Sequence, residues 1–96
     1  MANFLSAVIT PDAATSVTVG VDSTQIVAEN LNRKGLILVN TGVTMFIGLG
    51  VAASLNNGIC LAPLGVFNMA EYDFTTTAIN GITTSTGVIT IQEFST

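Results

Sequence analysis

Asn32-Arg33-Lys34-Gly35-Leu36-Ile37-Leu38-Val39-Asn40-Thr41-Gly42-Val43-Thr44-Met45-Phe46-Ile47-Gly48-Leu49-Gly50 is the stretch whose reading decides the fold class. It holds two apolar runs, Leu36 to Val39 and Met45 to Leu49, both too short and too rich in β-branched residues for a helix. Asn40-Thr41-Gly42 lies between them, and Asn and Gly tolerate the positive φ of a tight turn. The stretch therefore reads as a β-hairpin. Strand side chains alternate with a period of two. Leu36 and Leu38 share one face, and Ile37 and Val39 the other; Phe46 opposes Met45, Ile47 and Leu49. Both faces of such a hairpin are apolar, whereas an antiparallel sheet usually leaves one face wet. One face fills the domain's core, and a partner surface is expected to cover the second.

Working outward, turn signals recur about every eight to twelve residues. Ser16 to Val21 alternates, with Val17, Val19 and Val21 on one side. Thr24 to Ala28 is a short strand with Ile26 inward. Glu29 to Lys34 reads as a polar loop holding both cations, Arg33 and Lys34. Beyond the hairpin, Asn56-Asn57-Gly58 and Pro63-Leu64-Gly65 are turns that bracket the strand Ile59 to Ala62. Val66 to Ala70, a Thr-rich run from Phe74 to Thr83 with a bend or bulge at Gly81, and Val88 to Phe94 complete the set. Met1 to Ile9 reads either as a first edge strand or, with the turn to Pro11 included, as an arm reaching a neighbouring subunit. The expectation is one all-β domain over 1–96, an antiparallel β-sandwich or small barrel of seven or eight short strands, with jelly-roll-like wiring allowed.

Composition narrows the function. Of the 96 residues, 49% are apolar and 8% charged, against a usual charged share of about 25%. A chain of this size buries roughly 60–65% of its unfolded surface, so a lone monomer this poor in charge leaves much apolar surface open. Self-association or docking on a larger assembly is the simplest remedy. Net charge −4, with two cations, is a poor footprint for nucleic acid or an anionic membrane. No apolar run reaches the ~18 residues of a membrane helix. Met1 to Pro11 has no basic segment of the kind that opens a signal peptide, so a cytosolic site of synthesis is expected. Cys60 stands alone and is expected to be a buried thiol.

Catalytic signatures are missing. The absence of His removes Ser-His-Asp and Cys-His catalysis and His-based metal sites. Ser54 and Ser85 lack a nucleophile elbow, and Gly48-Leu49-Gly50 lacks the rest of a phosphate loop. The chain is expected to be no enzyme and to need no cofactor. Glu71 and Asp73, two residues apart, are the one pair that could hold a hard cation such as calcium, though a plain solvated loop is the favoured reading. Tyr72 beside them is the sole support for a carbohydrate- or receptor-binding module. Arg33 and Lys34 are expected to pair with Glu29, Glu71, Asp73 or Glu93, within or between subunits, and Arg33 to set register against a partner.

Thr24-Gln25-Ile26-Val27-Ala28-Glu29-Asn30, Asn32 to Asn40, Phe46-Ile47-Gly48-Leu49-Gly50 and Asn57-Gly58-Ile59-Cys60-Leu61-Ala62-Pro63 resemble small structural proteins encoded by tailed bacteriophages. In that group a Gln-x-aliphatic loop leads into Asn-x-Arg-x-Gly-aliphatic-Asn, then a strand with Gly-x-Gly, then Gly-Ile-x-Leu-x-Pro. The match runs over roughly Thr24 to Phe67. These motifs are turn and strand grammar, not catalytic residues. The resemblance implies a virion decoration, cement or head-fibre-like module, often trimeric, made in the host bacterial cytoplasm and located on the virion, with the major capsid protein or another virion protein as partner. The expected interface takes one face of the hairpin, Ile37, Val39, Met45 and Ile47, with Phe4, Leu5 and Arg33 adding to it. Leu36, Leu38 and Phe46 are left for the core.

Overall fold

The two apolar runs do not pair with each other. In the computed structural model, which describes residues 9–69 and 75–96, they lie in opposite sheets. Nine strands follow in order: β1 Thr10–Pro11, β2 Thr15–Val19, β3 Thr24–Val27, β4 Arg33–Asn40, β5 Met45–Leu49, β6 Ile59–Leu61, β7 Val66–Met69, β8 Ile79–Thr83 and β9 Gly87–Ser95. One sheet runs β1-β9-β4-β7, with β2 also on β9; the other runs β3-β8-β5-β6. All neighbours are antiparallel. β1 and β2 line one edge of β9 as a single interrupted strand, so eight strand positions form the two sheets. From β2 onward the chain changes sheet at every connection except β5 to β6. This is the wiring of a jelly roll.

The expected hairpin at Asn40-Thr41-Gly42 is thus a crossover between sheets. Its turn rests on no positive φ at these residues. Instead the Gly42 N–H donates to Asn40 Oδ1 at 3.0 Å, an Asx turn. Separation of β4 and β5 solves the problem of two apolar faces. Leu36 and Leu38 on β4 and Met45 and Ile47 on β5 all turn inward, each at most 1% exposed. They meet Val19, Ile79 and Ile89 in one core, as in any sandwich whose inner faces interdigitate. Met45 and Ile47, expected at an interface, are therefore core residues. Phe46, expected in the core, sits half-buried on the outer side of its sheet, opposite Cys60 and Ile82. Cys60 is exposed, not buried, because β6 is an edge strand and alternation puts Leu61, not Cys60, inward.

Two bulges complete the inner face. The register of β3 shifts between Gln25 and Val27, so Ile26 and Val27 are both buried. The Thr-rich run was expected to bend at Gly81; the irregularity falls instead on β3, opposite it. Gly81 makes room for it: a Cβ there would stand 2.6 Å from Ile26 Cδ1. The second shift lies between Arg33 and Gly35 in β4. Strict alternation from Leu36 would point Arg33 outward. The extra residue, Lys34, turns Arg33 into the protein and stays exposed itself.

Candidate interaction surface

The outer face of the β1-β9-β4-β7 sheet is built by register. Across it lie Ser16, Thr90, Val39 and Val66 in one row and Gln92, Ile37 and Asn68 in the next. Thr18 and Val88 flank the first row, and Phe94 flanks the second, opposite Gly35. A Cβ on Gly35 would meet the Phe94 ring at 3.5 Å, so the ring covers the glycine. Ile37 and Val39 are half-buried, and Val66 is 57% exposed. A shallow depression of about 160 Å³ is lined by Ala14, Ile37, Val39, Thr90, Ile91 and Gln92. None of these residues carries a charge. At the adjoining end of the sandwich, loop residues Val43 and Leu64 are also exposed. Both flank Asn40, which bonds the Val43 carbonyl at 2.6 Å and accepts from the Leu64 N–H at 2.6 Å.

Of the residues expected to form an interface, the structure thus keeps Ile37 and Val39 together on one outer face and withdraws Met45 and Ile47 into the core. Arg33 is withdrawn as well, at 0% exposure. Its Nε donates to Glu93 Oε2 at 2.7 Å, Nη1 to the carbonyls of Thr75 and Thr77 at 2.8 and 2.9 Å, and Nη2 to that of Ala28 at 2.8 Å. It is an internal clamp between the β3–β4 connection, the approach to β8 and strand β9, and no partner can reach it. Phe4 and Leu5, and Glu71, Tyr72 and Asp73, lie outside the described residues. Val66, Val88 and Phe94 were missed as surface candidates. Their signal was the parity they share with Asn68, Thr90 and Gln92, which reads as the polar face of a half-buried strand until the register brings three strands side by side.

Chemistry is sparse elsewhere. Among the described residues no three His, Cys, Asp or Glu side chains group closely enough to hold a metal ion, and no helix is long and apolar enough to cross a membrane. A second hollow, about 90 Å³, lies under the β5–β6 connection against Ile47, Ala53, Ser54 and Asn57, which offer no titratable group.

No family model matches the chain. No curated protein matches it. A solved structure of Bacillus endospore appendages, described as a novel family of disulfide-linked pili, shares the fold with a TM-score of 0.54 and 17% identity over 92% of this chain and 88% of that one. At that identity the likeness shows the fold: an all-β sandwich of two antiparallel sheets.

Proposed function

We propose that this chain is a non-enzymatic structural subunit that associates with copies of itself through the outer face of the β1-β9-β4-β7 sheet. The observation that supports this is the uncharged face holding Ile37, Val39, Val66, Val88 and Phe94, on a chain with too few charges to keep it wet. The sequence resemblance supplies the setting: a decoration or cement role on a tailed-phage virion, with a capsid or other virion protein as second partner and a trimer as the state to test. The endospore-appendage neighbour supports self-association from another side, since a sandwich of this kind serves there as a pilus building block. Its disulfide linkage does not carry over. A polymer joined through disulfides needs two cysteines per subunit, and these 96 residues hold one, Cys60. Copies of this chain could be linked pairwise and no further, so any larger assembly rests on noncovalent faces.

Size sets the strength of that contact. Four strands about 4.8 Å apart, each some five residues long at about 3.3 Å, give a face of roughly 250–300 Å² in projection. A standard interface buries about 800 Å² per partner. The face alone falls well short of that size; a stable oligomer must add the Val43 and Leu64 end, or Phe4 and Leu5. Val39→Asp should therefore give a monomer with an unchanged circular dichroism spectrum, because the carboxylate lands on the outer face, whereas Met45→Asp should fail to fold. Gln25→Asp, on an exposed position of the other sheet, is the control. Light scattering over a concentration series decides it. A wild type that stays monomeric, or an oligomer indifferent to Val39→Asp, sinks the proposal. Co-purification with assembled particles tests the virion setting separately.

A further inference from the structure

Two Asn-Gly pairs occur in the sequence, Asn57-Gly58 and Asn80-Gly81, and the fold treats them oppositely. We propose that Asn57 is a site of spontaneous covalent modification in the folded protein, converting to aspartate and isoaspartate through a cyclic imide, while Asn80 is held unreactive by its sheet. In this reaction the Gly58 backbone nitrogen attacks Asn57 Cγ. An N–Cγ bond forms, the Cγ–Nδ2 bond breaks, and the Gly58 N–H proton leaves with the amide nitrogen as ammonia. Water then opens the ring at either carbonyl. Water is the sole co-reactant, and nothing is oxidised or reduced. The attack needs an uncrowded following residue, solvent, and a backbone free to swing its nitrogen onto the side chain.

Asn57 meets all three needs. It lies on the exposed turn between β5 and β6, and Gly58 is exposed and precedes the first ladder residue, Ile59. Its side-chain amide is restrained only by long surface bonds, 3.2 Å to Ser54 Oγ and 3.4 Å to the Leu55 carbonyl, near the limit of hydrogen-bond geometry. Asn80 meets none. It lies within β8 between Gln25 and Gly48, and Gly81 follows, buried between Thr24 and Ile47. Asn80 Nδ2 donates to the Val51 carbonyl at 2.7 Å. Turning the Asn80-Gly81 peptide would break ladder bonds on both sides, which requires opening close to global unfolding.

The conversion also has a local consequence. Isoaspartate adds a methylene to the main chain. Gly58 has φ +79°, and a Cβ on it would stand 2.5 Å from the Ile47 carbonyl oxygen, so the turn passes close against β5 and a change in its length is felt there. The modified chain should loosen β6 and gain a negative charge beside it. To test this, the purified protein is held at mildly alkaline pH, with and without denaturant, then resolved by isoelectric focusing and peptide mapping with isoaspartate labelling. Native protein should accumulate an acidic species modified at Asn57 alone; denatured chain should convert at both pairs. Asn57→Gln, whose longer side chain cyclises far more slowly, should abolish the native acidic species. Conversion of Asn80 in native protein as fast as Asn57, or an intact Asn57 after the denatured chain has converted, overturns the proposal.

Discussion

Arg33→Met should cost the fold about 3–5 kcal/mol, the range for removing one partner of a buried ion pair, and lower Tm by tens of degrees in a domain of this length. The side chain is wholly buried and serves four acceptors. Methionine fills much of the volume and satisfies none of them. The Thr75, Thr77 and Ala28 carbonyls lose their guanidinium donor, and among the described residues Glu93, 19% exposed, retains a long contact of 3.4 Å from Asn30 Nδ2. A total stability of about 5–15 kcal/mol is typical of such domains, so the variant sits near the folding threshold. Two companions make the result informative. Glu93→Gln should cost only about 1–2 kcal/mol, because a neutral oxygen still accepts from Nε and the three carbonyl bonds remain. Arg33→Lys should fall between, since an ammonium cannot fork to acceptors on several sides. Urea unfolding of the three variants checks the order. If Glu93→Gln cost as much as Arg33→Met, the ion pair alone, not the carbonyl clamp, would hold this end together.

Arg33 also shows where sequence reading fails. Alternation is a local rule, and it assigned β2, β3, β6, β7 and β9 within one or two residues of their observed bounds. It also put Ile26 inward and Leu36 and Leu38 on one shared face, and all three are buried; which face of the hairpin lies inside was not in the periodicity and was chosen by the size of Phe46. A bulge breaks the rule by one residue and reverses every assignment beyond it. The extra residue at Lys34 has no signature of its own among Arg33-Lys34-Gly35, so a residue read as loop or interface became a buried clamp. The other misreadings share a different cause. Pairing partners are not written in a strand's own pattern. Two apolar runs joined by a five-residue link fit a hairpin or a crossover between sheets equally well, and only the second lets Met45 and Ile47 face Leu36 and Leu38. Phe46 was given to the core for its size, but the parity it shares with neither Met45 nor Ile47 already excluded it once those two were inside. Of the surviving half of the candidate surface, parity within one strand made legible that Ile37 and Val39 share a face; that this face is the outer one was inferred from Phe46, a premise the structure overturns.

The crossover itself rests on Asn40, and Asn40→Asp should destabilise the protein more than any apolar replacement there. Asn40 is fully buried. Its Nδ2 donates to the carbonyls of Val43, Leu61 and Ala62 at 2.6, 2.8 and 3.3 Å, and Oδ1 accepts from Gly42 N–H. Its main chain also bonds both ways with the β6–β7 loop, to Gly65 and from Leu64. One side chain thus ties the sheet-changing turn to the loop that brings β7 into place. Leucine in its stead strands at least two short-bonded carbonyls and one amide, about 3–9 kcal/mol in all at roughly 1–3 kcal/mol for each unsatisfied group. Aspartate keeps the shape and the acceptor for Gly42 but aims a negative oxygen at carbonyl oxygens, adding an unpaired buried charge to the loss of the carbonyl bonds. The difference is visible in pH. Burial against carbonyls raises the folded-state pKa of that carboxyl above its unfolded value of about 3.9. A carboxyl raised in this way favours the folded state when protonated and opposes it when ionised. The Asn40→Asp deficit should therefore grow as pH climbs above about 4 and shrink as pH falls, where the acid regains one donor; the Asn40→Leu deficit should stay level. Thermal melts of both variants and the wild type across that range measure it. Parallel curves for the two variants would mean that the aspartate side chain escapes to solvent, and that the turn does not hold its residue as tightly as the hydrogen bonds around Asn40 require.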